Sequence, residues 1–320
     1  MPLIVGIDEA GYGPLLGPLV IGATLWRVAP SAVGADLWQR LEAAVCRAAR
    51  RGEVRLPVGD SKQVFDRKRG ICSLERTVLA FARAAGLHWE TLGELLQTLG
   101  FDPRAAAGAF PWYRDLTGPL PLDRARSAFE GAAQKLAAVM AERGVACCGL
   151  SAQVVTEDVF NLRVARTRNK AAVLLEAVLR LIAWAAERCA DQDLHVLVDR
   201  LGGRADYRGL LMRAFPERHL HVLEVGDQLS RYRLASQVSD WHVSFEVDAD
   251  QRRLPVALAS MLAKYVRELL MDRFNAFWRR LAPALRPTAG YYADAQRFLT
   301  DIGPLTQRSG LAPERFVRVR

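Results

Sequence analysis

Patterns typical of disulfide-rich, zinc-binding and membrane-spanning proteins are missing from this sequence. Its five cysteines form no C-x-x-C pair and no spacing typical of zinc, so neither a disulfide framework nor a structural zinc site is indicated. The longest apolar run near the N-terminus, residues 14–26, is interrupted by glycine and proline, is too short to span a bilayer and follows no basic segment. We therefore expect a cytoplasmic protein with no membrane partner.

Lysine is scarce, although the chain is strongly basic. Five of its 44 basic residues are lysines, so the other 39 are arginines, and the formal net charge is +9. Such a charge suits a polyanionic partner, because basic side chains that neutralise phosphates release condensed counterions. An arginine bias with abundant alanine is equally typical of a GC-rich genome, so composition alone leaves nucleic-acid binding open.

The order of apolar patterns predicts an α/β protein. Apolar runs at 2–7 and 18–28, separated by a Gly/Pro-rich turn, predict an antiparallel strand pair. Further strands are predicted at 145–155, 194–198, 219–225 and 241–247. Helical spacing predicts helices over 36–51, 66–85, 126–143, 169–189 and 255–281. Strands followed by alternating helices and strands indicate the α/β class.

One segment, at about 87–122, breaks this pattern and is rich in glycine, proline and aromatic residues. We interpret it as an insertion or lid rather than a repeating unit. Its aromatic residues, Phe101 to Tyr113, could stack on single-stranded bases, but such residues more often pack the small core of the insertion itself. We expect packing.

Acidic residues follow the predicted apolar elements. Asp8 and Glu9 end the first strand, Asp199 ends a central strand and Glu268 lies on the late helix. Open α/β sheets carry their sites at strand ends, and clustered carboxylates are tolerable mainly when divalent cations neutralise them. Oxygen ligands without His or Cys favour Mg²⁺ or Mn²⁺. Any one of these acids could equally be an ordinary turn or cap residue.

The opening of the chain, IDEAGYGPLLGPLV, has an Asp-Glu pair followed by a Gly-Tyr-Gly turn. It resembles the ribonuclease HII family, in which an Asp-Glu pair precedes a Gly-Arg-Gly turn, and it is the first of an ordered series of such motifs. The remaining matches, in chain order, are Asp60-Ser61-Lys62, Asn169, the VLVD strand ending at Asp199, DADQRRLPVALASMLAKYVRE, TAGYY and the tail from Ile302 to Arg320. They cover most of the chain except about 86–144 and 200–240, which are longer than usual in the family.

The resemblance implies a ribonuclease H-like α/β domain over residues 1–281 and a C-terminal helical extension over 282–320. Its core would be a mixed five-stranded sheet with antiparallel first strands, flanked by helices, with insertions at about 86–144 and 200–240. We expect a monomer.

By the same resemblance, Asp8, Glu9, Asp199 and Glu268 would be the metal-binding catalytic acids. The implied substrate-binding residues are Gly11, Tyr12, Gly13, Ser61, Lys62, Asn169, Lys264 and Tyr291. The implied reaction is two-metal hydrolysis of the RNA strand of RNA/DNA hybrids, or of ribonucleotides embedded in DNA, leaving 3′-hydroxyl and 5′-phosphate ends. The implied cofactor is Mg²⁺ or Mn²⁺.

Two departures from the family pattern keep other functions open. Tyr12 stands where the family has Arg, which removes a charged donor but adds a ring able to stack on a base. Glu268 stands where the family has Asp. Ser260, Lys264 and Glu268 share one helix face, although an exposed Lys-Glu pair explains that spacing equally well. One alternative is a nucleic-acid-binding protein with impaired catalysis, and another is a nuclease of the same fold acting on branched DNA.

Overall fold

The structure is a computed structural model that describes residues 1–48, 52–59, 70–122, 128–189 and 191–319. The strands are β1 (Leu3–Ala10), β2 (Leu19–Val28), β3 (Val45–Cys46), β4 (Leu56–Pro57), β5 (Val145–Val155), β6 (Leu194–Asp199), β7 (His219–Val225), β8 (Leu229–Ala235) and β9 (Asp240–Glu246). The α-helices are α1 (Leu37–Arg40), α2 (Cys72–Ala84), α3 (Leu92–Thr98), α4 (Pro103–Ala109), α5 (Glu130–Glu142), α6 (Glu157–Thr167), α7 (Lys170–Glu187), α8 (Arg208–Ala214), α9 (Ala249–Arg252), α10 (Leu254–Leu281), α11 (Tyr292–Ser309) and α12 (Pro313–Phe316). Short 3-10 turns lie at Pro30–Ala32 and Pro111–Tyr113.

A mixed sheet forms the centre of the fold, in the order β5-β2-β1-β6-β9-β8-β7. Strands β1, β6 and β9 are parallel, and β2 is antiparallel to both of its neighbours. The first five strands in this order form the predicted mixed sheet with antiparallel first strands, flanked by helices, and the predicted C-terminal helices are present as well.

The predicted count of five strands is wrong, because the sheet has seven. The 200–240 segment contributes β7 and β8, which continue the sheet as a hairpin beyond β9. The sequence analysis missed β8, in which Ser230, Tyr232 and Leu234 are buried while Arg231 and Arg233 are exposed. A second correction concerns the helix predicted over 36–51. Within the described part of that range, 36–48, the helix ends at Arg40 and the chain then enters β3.

Two helices cover opposite faces of the sheet. Because side chains alternate along a strand, Ile7 of β1 and Val198 of β6 pack in the core that faces α7, while Ile4 packs in the core that faces α10. Helix α10 lies in backbone contact with the sheet. A Cβ at Gly6 would collide with the backbone of Pro255, and one at Gly22 with that of Ala259.

The aromatic residues from Phe101 to Tyr113 are buried except for Phe101, which is partly buried. They pack into the main core and not, as expected, into a small core of the insertion itself. The Trp112 ring lies 4.6 Å from Phe110, 4.9 Å from Phe274 of α10 and 6.0 Å from Phe316 of α12. The insertion therefore joins α10 to the C-terminal helices. The proposed domain boundary after residue 281 stays a prediction. Among the described residues, none of the helices combines the length and the hydropathy needed to cross a bilayer.

Candidate active site

Asp8 and Asp199 lie side by side at the carboxyl ends of two adjacent parallel strands. The register pairs Ile7 of β1 with Val198 of β6, so the next residue of each strand is one of these acids. Both side chains point to the α10 face, because the residues before them face the opposite core. The structure thus brings together two of the predicted acids.

Burial and hydrogen bonds fix the Asp8 carboxylate, which is 7% exposed. The hydroxyl of Ser260 on α10 donates to it, and the backbone N–H of Glu9 donates to Oδ1 at 2.7 Å. Burial, followed by the nearby negative charges of Glu9 and Asp199, raises the pKa of Asp8 well above its usual value. Ser260 reaches Asp8 because α10 crosses Gly22, the partner of Asp8 on β2.

Glu9 is the third acid of this group. Burial and the charge of Asp199 raise its pKa from 4.5 to about 7. Its Oε2 atom is buried and has no hydrogen-bond partner among the described residues. A buried carboxylate oxygen without a donor is costly, so this atom is suited to a positive ligand.

Asp199 brings two further acids that the sequence analysis did not single out. Its Oδ1 accepts a hydrogen bond of 2.7 Å from the backbone N–H of Ala249, at the start of α9. Burial, followed by the charges of Asp250 and Asp248, raises the pKa of Asp199 to about 6. Asp250 also raises the pKa of Glu9. The signal was in the DADQRR segment, whose acids precede the helix that carries Glu268.

A fourth strand-end acid, Glu246, differs because it is already neutralised. It ends β9 directly opposite Asp199 and is 8% exposed. Its two carboxylate oxygens contact Arg252 at 3.2 Å and Arg253 at 3.0 Å. We therefore exclude Glu246 from the candidate metal ligands.

Glu268 lies farther along α10 and contacts basic residues. Its Oε1 is 2.6 Å from Nζ of Lys264 and 3.9 Å from Nη1 of Arg267. Ser260, Lys264 and Glu268 follow one face of the helix, and the usual rise puts Glu268 about 12 Å beyond Ser260. The Lys-Glu pair that the sequence analysis left open is present, but it is not exposed, because the Lys264 and Glu268 side chains are 14% and 19% exposed. A metal-binding role for Glu268 stays a prediction.

The Gly11-Tyr12-Gly13 turn follows the acids directly. Gly11 has a φ of +89°, and a Cβ there would collide with the side chain of Arg267. Around Gly13 the space is open. The Tyr12 ring lies 4.9 Å from Nζ of Lys170.

Tyr291 lies beside the same loop. The carbonyl of Gly290 accepts hydrogen bonds from the backbone N–H groups of Leu15 at 2.8 Å and Leu16 at 3.2 Å. The Tyr291 side chain is 47% exposed, and the guanidinium of Arg267 lies 5.8 Å from its ring. The predicted turn and the predicted tyrosine are therefore neighbours.

Of the three predicted substrate residues that remain, the structure describes Asn169. Asn169 caps α7, because its Oδ1 accepts from the backbone N–H of Ala171 at 2.9 Å. The next residue, Lys170, contacts Tyr12, so this cap lies near the turn. Ser61 and Lys62 lie outside the described residues.

The donor set fits a hard divalent cation, although no finished cluster is present. Across 1–48, 52–59, 70–122, 128–189 and 191–319, no group of three or more His, Cys, Asp or Glu side chains is arranged to hold a metal ion. Still, the charges of Glu9 and Asp199 raise the pKa of Asp8, and the charge of Asp199 raises the pKa of Glu9. Oε2 of Glu9 has no donor in the described chain. Carboxylate oxygens without His or Cys favour Mg²⁺ or Mn²⁺ over Zn²⁺.

Neither a protein-family model nor a curated protein matches this chain. Among solved structures, it is similar to the ribonuclease H2 from Pyrococcus horikoshii OT3, with 16% identity, coverage of 99% of this chain and 92% of that chain, and a TM-score of 0.41. The RNase HII in a PCNA complex from Archaeoglobus fulgidus has 15% identity, coverage of 99% and 94%, and a TM-score of 0.41. Bst-RNase HIII in complex with Mn²⁺ has 13% identity, coverage of 99% and 65%, and a TM-score of 0.48. At TM-scores below 0.5 these likenesses carry no argument, so the interpretation depends on the motifs and the site geometry.

Proposed function

We propose that the chain is a divalent-metal-dependent endonuclease of the ribonuclease H superfamily, similar to ribonuclease HII. It hydrolyses the RNA strand of RNA/DNA hybrids, or ribonucleotides embedded in DNA, and leaves 3′-hydroxyl and 5′-phosphate ends. The observation that supports this most is the placement of Asp8 and Asp199 on one face, at adjacent parallel strand ends, with Glu9 between them and the turn.

Asp8, Glu9 and Asp199 would hold Mg²⁺ or Mn²⁺. Asp250 is proposed as an additional ligand, because its charge raises the pKa of both Glu9 and Asp199. When bound, such ions would polarise the attacking water and stabilise the leaving oxygen. The protein fixes the acids beforehand. Ser260 orients Asp8, and the N–H of Ala249 orients Asp199. Glu268 is kept as a proposed ligand whose carboxylate would first have to leave Lys264.

The turn beside the acids is the proposed substrate contact. Open space around Gly13 lets a sugar or phosphate approach the backbone, and the Tyr12 and Tyr291 rings offer faces for stacking. A 2′-hydroxyl at this position is what would distinguish RNA from DNA. Lys264 is a proposed phosphate contact.

A panel of labelled duplexes tests this function. It compares one ribonucleotide, a run of ribonucleotides and none, with Mg²⁺ or Mn²⁺, for the wild type and Asp8→Asn. We expect metal-stimulated cutting of ribonucleotide-containing duplexes by the wild type only, with 3′-hydroxyl products. Equal behaviour of the two proteins on every duplex would contradict the catalytic assignment, and cutting of an all-DNA junction alone would favour branched DNA as the substrate.

Two observations favour a second candidate, a hybrid-binding protein with impaired catalysis. Glu268 is already paired with Lys264, and Tyr12 replaces the family's Arg. Tight hybrid binding by wild type, without cutting at any Mg²⁺ or Mn²⁺ concentration, would support this candidate over the nuclease.

A further inference from the structure

A buried arginine from the C-terminal tail bonds the loop that follows the acids. Arg318 is 2% exposed. Its Nη1 donates to the carbonyls of Gly11 and Gly17, and its Nη2 donates to the carbonyl of Tyr12 at 3.0 Å. The backbone N–H of the same residue donates to Leu15 at 2.8 Å. One residue thus ties both ends and the middle of the 11–17 loop.

The surroundings of Arg318 keep its side chain in this one orientation. Its guanidinium lies 4.0 Å from the Phe160 ring. Burial, followed by the charge of Arg267, lowers the pKa of Arg318 to about 10, so the group still carries its charge at neutral pH. Carbonyl oxygens are therefore its necessary partners, because an unpaired buried charge is costly.

The tail that carries Arg318 is itself anchored on both sides. Nδ2 of Asn161 donates to the carbonyl of Val317 at 2.8 Å, and Oδ1 of Asn161 accepts from Val319 at 2.9 Å. Phe316 is fully buried against Trp112 of the insertion. The insertion therefore anchors the tail next to the 11–17 loop.

We propose that residues 312–319, here named the strap, are a positioning element for the substrate turn, with Arg318 as the positioning residue. The identity of the substrate rests on the proposed function, but the mechanical role does not. Through Arg318 the strap fixes the direction in which the Gly11-Tyr12-Gly13 backbone and the Tyr12 ring face the nucleic acid. In the described structure the hydrogen bonds of Arg318 go to carbonyls of the 11–17 loop and not to the acids. The strap therefore controls substrate binding rather than metal binding.

Arg318→Met keeps the length of the side chain and removes its donors, while Arg318→Lys restores a charge and part of the bonding. We expect KM for the cleaved duplex to rise at least about tenfold in Arg318→Met, with kcat changed less than about threefold, and partial recovery in Arg318→Lys. Arg188→Met is the matched control, because the Arg188 side chain is 49% exposed, lies outside the strap just after the C-terminal end of α7, and donates to the carbonyl of Trp184 on that helix.

Hydrogen exchange gives a readout that needs neither metal nor nucleic acid. The N–H groups of Leu15 and Leu16 are bonded to Gly290, so wild type should protect them. Arg318→Met should exchange the 11–17 segment at least about tenfold faster, with the other strands of the sheet unchanged. Arg188→Met should match wild type.

The proposal would be overturned if the 11–17 segment of Arg318→Met exchanged at the wild-type rate, or if the KM of Arg318→Met equalled that of wild type. If Arg318→Met does not fold, Asn161→Ala releases the strap without touching Arg318 and must give the same local exchange and KM effects. If the wild type neither binds nor cuts any duplex, the proposed function fails, while the exchange result still decides the role of the strap.

Discussion

The raised pKa of Glu9 predicts an unusual effect of Glu9→Gln on stability. Raising this pKa from 4.5 to about 7 corresponds to about 3 kcal/mol of unfolding free energy, at about 1.4 kcal/mol for each pKa unit. Glutamine keeps the shape of the side chain but carries no charge. In metal-free buffer above neutral pH, we therefore expect Glu9→Gln to be more stable than wild type by up to about 3 kcal/mol.

The sign follows from where the proton is held. The folded protein keeps the Glu9 proton up to about pH 7, whereas the unfolded chain loses it near pH 4.5. The free energy of unfolding of the wild type therefore falls as the pH rises from 4.5 to about 7. Above about pH 7 this loss of stability is complete. Below pH 4.5 both states are protonated, so the difference between wild type and Glu9→Gln should vanish.

Urea denaturation of both proteins at several pH values from 4.5 to 8, with a chelator, measures this difference. Glu187→Gln is the control, because the Glu187 side chain is 75% exposed and should show no such dependence. Mn²⁺ at about 100 times its Kd should stabilise wild type by about 2.7 kcal/mol and offset the advantage of the variant. A stability difference that does not change with pH, or a Glu9→Gln protein less stable than wild type at pH 8, would refute the reasoning.

Three further predictions concern single side chains. Asp250→Asn should reduce Mn²⁺-dependent cutting about 100-fold. If Asp250→Asn loses less activity than Glu268→Gln, Glu268 rather than Asp250 is the main additional metal ligand. Tyr12→Arg should tighten hybrid binding and steepen the slope of log K against log salt by about 1, measured by anisotropy; an unchanged slope would remove this turn from the phosphate path. Tyr113→Phe removes the hydroxyl 3.2 Å from Oε2 of the buried Glu157 and should cost about 1–3 kcal/mol in urea denaturation; no loss would mean that this hydrogen bond contributes nothing.

Local patterns were sufficient to predict the part of the fold that carries the acids. The apolar runs of β1 and β6 and the helical spacing of α10 each predict their element from side chains within it. The adjacency of Asp8 and Asp199 follows, because parallel strands end at the same edge of a sheet.

The remaining features depend on contacts between distant parts of the chain. Nothing in the local sequence indicates that Arg318 reaches the carbonyl of Gly11. The sequence analysis did not single out Asp250, because its effect on the pKa of Asp199 depends on the contact between the start of α9 and the end of β6. The spacing of apolar residues predicts which face of a helix or strand is buried. It does not predict which charged residue of another element lies opposite that face.

A crystal structure with Mn²⁺, read from its anomalous scattering, tests the shared metal site most directly. We predict a peak within about 2.0–2.6 Å of carboxylate oxygens of both Asp8 and Asp199, with Glu9 turned toward it. A peak that neither aspartate contacts, or no peak between the ends of β1 and β6 at saturating Mn²⁺, would contradict the site.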